Sequence, residues 1–260
     1  MTQTQPGFRQ RLTSGTSSLF GSFIKTPSPH ATEIMGDLGF DFVVIDAEHA
    51  PFDRHAMDTV LLGARATRIA ALVRVPSLSG PQILAALDDG AAGILAPHID
   101  SVEKARELVA LSRYAGRRGF SNSPRAGGYG ARAIWTHVDT ADREVAVIAM
   151  IEDVAGVEAI DAIVDVPGLD GVFIGRGDLA VAINDRTPQA EQVAAMTERV
   201  LEATRRSGKA ALVMPASAQE AARLAPLGVR GFVIASDQGF LRKAAFEALH
   251  TFQGVCEAGG

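Results

Sequence analysis

Short apolar runs recur along the chain at intervals typical of a fold in which strands and helices alternate. Each run is continuously apolar instead of alternating with polar residues, as expected for parallel strands covered on both faces. Polar stretches with helical signals separate the runs. The pattern predicts eight buried strands, over residues 19–24, 42–46, 71–75, 93–97, 145–151, 171–175, 210–214 and 231–235.

The segments between the runs carry signals for helix starts. Asp100 with Glu103, and Ser217 with Glu220, have the spacing of a capping box, in which side chains satisfy free backbone N–H groups. Thr187-Pro188 places an N-cap residue before a proline that suits the first helical position. Helices are therefore expected to begin near these positions.

Alternation of this kind predicts right-handed βαβ units in a parallel sheet. Eight units favour a closed (β/α)8 TIM barrel that uses residues 1–260 as a single domain, with 1–17 as an N-terminal segment. An open, doubly wound sheet is the alternative. That fold usually carries a glycine-rich phosphate loop after its first strand, and Lys25-Thr-Pro-Ser-Pro-His30 is unlike such a loop.

One connection is longer than a barrel needs. Residues 117–132, ahead of the fifth predicted strand, are rich in Gly, Ser and Arg. A long loop in a compact domain is usually functional or disordered, and the one-sided positive charge favours a functional loop. We expect this loop on the active-site side of the barrel, where its arginines would meet an anionic substrate.

Composition narrows the class of protein. Of 260 residues, 47% are hydrophobic and 21% are charged, which excludes a disordered chain. A net charge of −5 argues against nucleic-acid binding. The single cysteine, Cys256, excludes an intrachain disulfide and fits the cytoplasm. The polar N-terminus predicts no signal peptide, and no apolar run approaches the ~20 residues of a membrane span.

Polar residues gather where the predicted strands end. In a barrel these ends open on one face, and that face carries the chemistry. The other ends of the predicted strands have no comparable set, so the carboxyl ends are predicted to form an active site. The residues concerned are Asp46-Ala-Glu-His49, Arg74, His98, Glu152-Asp153 and Gly175-Arg-Gly-Asp178.

Two of these residues are candidate metal ligands. Glu152 and Asp178 follow adjacent strands, and two carboxylates with waters and a chelating substrate would complete an octahedral oxygen shell. The alternative is that both carboxylates cap or pair with neighbouring residues of the barrel. The nearby histidine and arginine favour the metal site.

Two others are candidate catalytic groups. His49 follows a strand end, and imidazole as a side-chain type suits a general base at neutral pH, although a structural hydrogen bond is the alternative. Arg74 offers a planar, permanently charged fork. It suits an oxyanion, and it equally suits an ion pair with Asp46 or Glu48. We favour the general base and the oxyanion role.

Two further strand-end residues stay open. A Schiff-base aldolase would need a lysine at a strand end, and Lys25 is the one candidate, with no other feature in its support. His98 follows the fourth predicted strand, and its position does not separate a functional role from a structural one.

Five stretches carry a more specific pattern: Val44-Ile-Asp-Ala-Glu-His-Ala-Pro51, Val73-Arg-Val-Pro76, Ala86-Leu-Asp-Asp-Gly90, Met150-Ile-Glu152 and Gly171-Val-Phe-Ile-Gly-Arg-Gly-Asp-Leu179. In this order they resemble the HpcH/HpaI aldolase family, which are metal-dependent (class II) pyruvate aldolases acting on 4-hydroxy-2-oxo acids. The resemblance runs from about residue 20 to residue 252 and is specific for the family, much less so for the substrate.

The resemblance implies roles for individual residues. His49 matches the catalytic base, and Asp88 matches the carboxylate that raises the basicity of that base. Arg74 matches the group that stabilises the transition state. Glu152 and Asp178 match the metal ligands, which usually hold Mg²⁺, Mn²⁺ or Co²⁺.

It also implies a substrate site. The backbone at Gly177 and Asp178 matches the site that binds the pyruvate carboxylate. Asp46 matches an acid that lies near the water molecules bound to the metal. Met150 stands where many relatives have a glutamine that contacts substrate. Arg176 stands where proline is commoner, and it is expected to add a cation beside the carboxylate site.

The implied activity is the cleavage and formation of 4-hydroxy-2-oxo acids, giving pyruvate and an aldehyde through a metal-stabilised pyruvate enolate. The nearest alternative is a CoA-thioester lyase of the same superfamily, of the citramalyl- or malyl-CoA type. A non-catalytic barrel that binds small acids is a third possibility.

The resemblance finally implies assembly into hexamers, as dimers of trimers, with the last helix exchanged between neighbours. That helix is predicted over residues 239–252 and carries apolar side chains that suit either such an exchange or packing on its own barrel. A homo-oligomer, trimer or hexamer, is therefore expected, with no nucleic-acid or membrane partner. The apolar residues are Phe240, Leu241, Phe246, Leu249 and Phe252.

Overall fold

Eight parallel strands close into a barrel in chain order, with β8 hydrogen-bonded to β1, in a computed structural model that describes residues 6–14, 17–186 and 191–257. The predicted TIM barrel is confirmed, and the closed strand order excludes an open, doubly wound sheet. The strands are β1 (Leu19–Ile24), β2 (Phe42–Asp46), β3 (Ala70–Arg74), β4 (Gly93–Ala96), β5 (Ala146–Ile151), β6 (Gly171–Ile174), β7 (Ala210–Val213) and β8 (Val229–Ser236).

Helices follow the strands and surround the barrel. None of those in the described part of the chain is long and apolar enough to cross a membrane. They are α1 (Phe8–Ser14), α2 (Pro29–Asp37), α3 (Arg54–Thr67), α4 (Gly80–Asp88), α5 (Val102–Ser112), α6 (Ile134–Glu144), α7 (Val154–Glu158), α8 (Ile160–Val164), α9 (Arg176–Ala182), α10 (Glu191–Arg206), α11 (Ala218–Leu224) and α12 (Asp237–Glu257).

The helix starts follow the predicted caps with one shift. Ser217 caps α11, as its spacing indicates. The cap of α5 is Ser101, which accepts the backbone N–H of Lys104, while the carboxylate of Asp100 pairs with the side chain of that same lysine. Asp100 is therefore not the cap. Thr187-Pro188 lies outside the described residues.

Apolar side chains fill two concentric layers, which explains why the strands are continuously apolar. One set of strand side chains points into the barrel, and the other packs under the helices. Each Å² of apolar surface that the strands remove from water stabilises the folded state by about 25 cal/mol, and this burial on both faces is the main contribution to stability. The inner layer includes Phe23, Phe42, Val44, Leu72, Leu95, Ile148, Phe173 and Leu212.

Helix α1 closes the N-terminal end of the barrel. The Phe8 ring lies 5.2 Å from the ring of Phe42, centroid to centroid, and Leu12 is fully buried in the same inner cluster. The Nε of Arg9 donates to Asp170, just ahead of β6, at 2.7 Å. Because this end is filled, the carboxyl ends of the strands form the open mouth.

The long loop, residues 117–132, differs from its expected placement. Its Arg118 and Arg125 line a second cavity, shared with Phe8 at the N-terminal end of the barrel. Arg118 also pairs with Asp88, the last residue of α4, at 3.2 Å. A connection that leads from helix α5 back to strand β5 lies at the N-terminal ends of the strands, so within this chain the loop is not on the active-site side.

Candidate active site

A cavity of about 900 Å³ opens at the carboxyl ends of the strands. It lies where the polar strand-end residues were expected to converge. Residues that follow or end β1, β3, β5, β6, β7 and β8 line it, so the barrel brings together positions far apart in the sequence. The lining includes Lys25, Arg74, Met150, Gly175, Arg176, Gly177, Asp178, Met214, Glu220 and Ser236.

A buried ion pair lies beside this cavity. Asp46 is completely buried and accepts hydrogen bonds from Arg74, Nε at 2.9 Å and Nη2 at 2.7 Å. Lys25 Nζ lies 3.1 Å from Asp46, and the backbone N–H of His49 donates to it, also at 3.1 Å. Burial alone would raise the pKa of Asp46, but the hydrogen bonds and charge of Arg74, with the hydrogen bonds from the His49 backbone and Lys25, together outweigh burial and hold that pKa below its usual value.

Arg74 makes the ion pair with Asp46 that was one of the two alternatives for it. Its Nε and Nη2 edge pairs with Asp46, while Nη1 points to the Sδ of Met150 at 4.0 Å. The guanidinium also lies 4.9 Å from the centre of the Phe23 ring, a cation–π contact. The side chain is therefore fixed in position, with its remaining edge next to the lining of the cavity.

Glu48 lies between the arginine and the candidate base. Its Oε2 is 3.4 Å from Arg74 Nε and 3.6 Å from His49 Nε2. That oxygen is buried and makes no hydrogen bond within the part of the chain that the structure describes. The His49 ring is more than half exposed at the mouth of the barrel, so it is open to solvent and substrate.

Glu152 is nearly fully buried at the end of β5. Its Oε1 accepts the backbone N–H of His98 at 2.9 Å, and His98 has a left-handed backbone with φ of 53°. Burial raises the pKa of Glu152, and the negative charges of Asp178 and Glu48 raise it further. The contacts with His98 lower it, but less than the other causes raise it. A hydrogen bond to Asp153 at 3.0 Å raises the pKa of His98.

These groups fit a divalent cation. Glu48, His98 and Glu152 each offer a ligand atom, and the three atoms lie within 4.8 Å of one another. Asp178 is close enough for its charge to raise the pKa of Glu152. Arg74 is already paired with Asp46, and Glu48 keeps a buried oxygen without a hydrogen bond among the described residues. A bound cation would satisfy this surplus of buried negative charge.

Two glycines shape the wall beside this cluster. A Cβ on Gly175 would lie 2.6 Å from the Cβ of Glu152 and 3.1 Å from the Cε of Met150, so only glycine fits the close approach. A Cβ on Gly177 would meet nothing within 4 Å. The backbone next to Asp178 is therefore open to the cavity.

Arg176 is not the free cation that was expected. Its Nη1 and Nη2 donate to the two carboxylate oxygens of Glu220 at 2.6 and 3.0 Å, and Nη2 also donates to the carbonyl of Met214 at 2.6 Å. Both members of the pair line the cavity, but the guanidinium is directed to protein acceptors. The expectation that Arg176 faces an anionic substrate is corrected, since its charge is neutralised within the wall.

Comparisons with known proteins decide the family. Residues 19–243 match the model of the HpcH/HpaI aldolase/citrate lyase family. The chain belongs to this family. It is 32% identical over 255 residues to a hydroxypyruvate/pyruvate aldolase of Pseudomonas aeruginosa, covering 96% of this chain and 94% of that protein. It is 31% identical over 239 residues to a 5-keto-4-deoxy-D-glucarate aldolase of Enterobacter sp. (strain 638), covering 90% and 91%.

A solved structure of the citrate synthase SbnG superposes on this HpcH/HpaI protein with a TM-score of 0.88 at 30% identity, covering 96% of this chain and 99% of that one. The names of the relatives confirm the prediction of an aldolase, a carbon–carbon lyase of the HpcH/HpaI family. The CoA-thioester lyase and the non-catalytic barrel are less supported.

One residue expected from the HpcH/HpaI pattern pairs with a different residue in this chain. Asp88 ends α4, which leads back to the N-terminal end of β4, and its carboxylate pairs with the buried Arg118 at 3.2 Å. No hydrogen bond or ion pair joins Asp88 to His49 among the described residues. The acid next to His49 in this chain is Glu48.

Two members of the cluster do not stand out in the sequence. The sequence offers Glu48 only as a partner of Arg74, and it does not separate a functional from a structural role for His98. Both had a detectable signal, since each follows a strand end as the selected residues do. Their proximity to Glu152 depends on barrel closure, which spacing along the chain does not reveal.

Proposed function

We propose that this HpcH/HpaI protein is a divalent-metal-dependent aldolase that cleaves and forms 4-hydroxy-2-oxo acids, with pyruvate and an aldehyde as the cleavage products. The observation that carries the proposal is the cluster of Glu48, His98 and Glu152 at the barrel mouth, with the Glu152 carboxylate buried, Asp178 nearby and the fixed Arg74 alongside. Relatives named as aldolases of 2-oxo acids support the substrate class.

Glu152 and Asp178 would hold the cation, with Glu48 and His98 adjoining them. Carboxylate oxygens with one imidazole suit Mg²⁺, Mn²⁺ or Co²⁺. When bound, such an ion supplies Lewis acidity to the oxygens of a 2-oxo acid. Without it, Glu152 carries the energetic cost of burial next to two like charges, which is why its pKa is raised.

Arg74 would stabilise negative charge that develops on substrate. Its planar group is held by two hydrogen bonds to Asp46, so little reorganisation is needed when charge appears at its free edge. Asp46 in this proposal is a positioning residue, because its buried carboxylate touches Arg74, Lys25 and the backbone of His49.

His49 would accept the proton of the substrate 4-hydroxyl during cleavage and return a proton during synthesis. Its backbone is tied to Asp46 and its ring is near Glu48, so the ring can lie over the mouth. The backbone N–H groups at Gly177 and Asp178 would bind the pyruvate carboxylate, with Met150 packing against the substrate.

We also propose a cytoplasmic homo-oligomer, a trimer or hexamer. In a single chain, α12 leaves five large apolar side chains uncovered, more than an isolated surface helix normally exposes. A second copy would cover them, by exchange of the helix or by packing against it. Another copy would also be needed to bring an Asp88 to His49. The exposed residues are Leu241, Phe246, Leu249, Phe252 and Val255.

A substrate panel tests the function. Sugar-derived and dicarboxylic 4-hydroxy-2-oxo acids would be offered with Mg²⁺, Mn²⁺ or Co²⁺, and pyruvate release followed with coupled lactate dehydrogenase. The proposal expects pyruvate from at least one acid without CoA. Turnover that requires a CoA thioester would favour the CoA-thioester lyase instead. The similarity to a citrate synthase is a reason to test such thioesters. Binding of pyruvate and metal without any turnover would favour the non-catalytic barrel.

A further inference from the structure

The Arg176–Glu220 ion pair joins two loops at the rim of the cavity. Arg176 is the first residue of α9, and Glu220 lies in the first turn of α11. Both side chains are about four-fifths buried, with exposures of 24% and 18%. The bidentate geometry fixes the orientation of one planar group against the other, which a single contact would not do.

Glu220 is anchored independently of Arg176. Its backbone N–H donates to the hydroxyl of the cap residue Ser217 at 3.1 Å. Its Oε2 accepts the backbone N–H of Ala216 at 2.6 Å. Arg176 lowers the pKa of Glu220 to about 2, because its hydrogen bonds to the carboxylate outweigh burial. The glutamate is thus a rigid, ionised acceptor for the arginine.

The first turn of α9 has few other attachments on the side of the cavity. Its N-cap is Gly175, which has no side chain to cap the helix. A Cβ on Gly177 would meet nothing within 4 Å, and Asp178 is exposed. Leu179 is fully buried and holds the opposite side of the turn. The arginine is therefore the side chain that ties the exposed part of this turn to the rest of the barrel.

We infer that Arg176 and Glu220 are positioning residues for the reaction, which hold the backbone at Gly177 and the carboxylate of Asp178 in the geometry that substrate and cation need. In this inference Arg176 acts through the turn and not on the substrate, because its hydrogen bonds to the described residues go to Glu220 and to the carbonyl of Met214. The expected change in KM rests on the proposed function. The expected loosening of the turn does not.

The test compares R176Q, E220Q and the double variant with wild type. The control is R199Q, which breaks an exposed pair with Asp161 of similar length, 2.8 Å. Four quantities are measured: KM for the 2-oxo acid, kcat, the Kd of Mn²⁺, and hydrogen exchange over residues 175–180. Each single variant is expected to raise KM roughly tenfold or more, because the turn that carries Gly177 and Asp178 loses charge-assisted hydrogen bonds that hold it.

The expected pattern is specific. Both single variants raise KM and the Mn²⁺ Kd by similar factors and speed exchange over residues 175–180. The double variant is no worse than either single one, because the pair acts as a unit. R199Q changes none of these. The exchanged pair R176E/E220R recovers part of the loss, which keeps the test informative if a single variant folds poorly.

Other results would overturn the inference. If R176Q raises KM while E220Q leaves or lowers it, the guanidinium binds substrate directly. If both variants only lower the melting temperature, with KM, Mn²⁺ Kd and local exchange unchanged, the pair serves stability alone. A wild type without lyase activity would contradict the proposed function, and the Mn²⁺ and exchange measurements would still decide whether the pair positions the turn.

Discussion

Replacement of Asp46 by Asn removes the negative charge on which the barrel mouth depends. The carboxylate is completely buried and receives two hydrogen bonds from Arg74, one from the backbone of His49, and an ion pair from Lys25. Asn keeps the shape of the side chain but offers one neutral acceptor oxygen in place of two charged ones. Arg74, only 7% exposed, would then be a buried cation without its main partner.

The cost follows from that burial. Removing one member of a buried pair typically destabilises a protein by about 3–5 kcal/mol. Glu48 Oε2 remains 3.4 Å from Arg74 Nε, and the amide oxygen of Asn still accepts one hydrogen bond, so the lower end applies. About 3 kcal/mol corresponds to a fall in melting temperature of roughly 6–12 °C for a domain of this size.

Thermal unfolding followed by circular dichroism, with EDTA present so that metal binding does not contribute, measures this change. The matched control is D161N, which removes the carboxylate that pairs with Arg199 and Arg206 at similar distances on the surface. It should lower the melting temperature much less, because solvent screens exposed ion pairs. A D46N protein as stable as D161N would refute the assignment of Asp46 as the buried anchor of Arg74.

Three further predictions concern other parts of the molecule. Gly175→Ala should reduce kcat/KM more than tenfold, because the new Cβ would lie 2.6 Å from the Cβ of Glu152; steady-state kinetics that match wild type would contradict this close contact. The stability difference between wild type and E220Q should be constant above about pH 4.5 and vanish as the pH falls toward 2. The reason is that Arg176 lowers the pKa of Glu220 to about 2 and the ion pair is lost on protonation. A difference that is independent of pH in denaturation experiments would contradict this. Phe252→Asp on the uncovered face of α12 should release monomers, measured by light scattering, and an unchanged oligomer would remove that face from the interface.

The barrel was predictable because its strands are buried on both faces. Side chains at successive positions must then both be apolar, and a continuous run such as Phe42 to Ile45 shows this directly in the sequence. Barrel closure follows from the number of such runs and from the right-handed connection between them.

The site was predictable only in part. Strand ends located Glu152, Asp178, Arg74 and His49, since topology alone brings those ends to one face. Which side chains pair there depends on rotamers and register, and spacing does not encode these. For the same reason the sequence predicts a free cation at Arg176, although Glu220, 44 residues later, neutralises it.

The placement of the long loop failed for a different reason. Its positive charge suggested a substrate, but a connection from a helix back to a strand lies at the N-terminal end of the barrel. The direction of the chain at that point, and not its composition, decides the side. Asp88 likewise lies toward the N-terminal ends of the strands, because it ends a helix and not a strand.

The central claim is that carboxylates at the barrel mouth hold a cation needed for cleavage of a 2-oxo acid. The most direct measurement is pyruvate release by EDTA-treated enzyme as Mn²⁺ is added back, for wild type and for Glu152→Gln. We predict that the wild type is inactive after EDTA and recovers with Mn²⁺, whereas Glu152→Gln recovers little at any Mn²⁺ concentration. Undiminished pyruvate release by EDTA-treated wild type, or by Glu152→Gln, would contradict the claim.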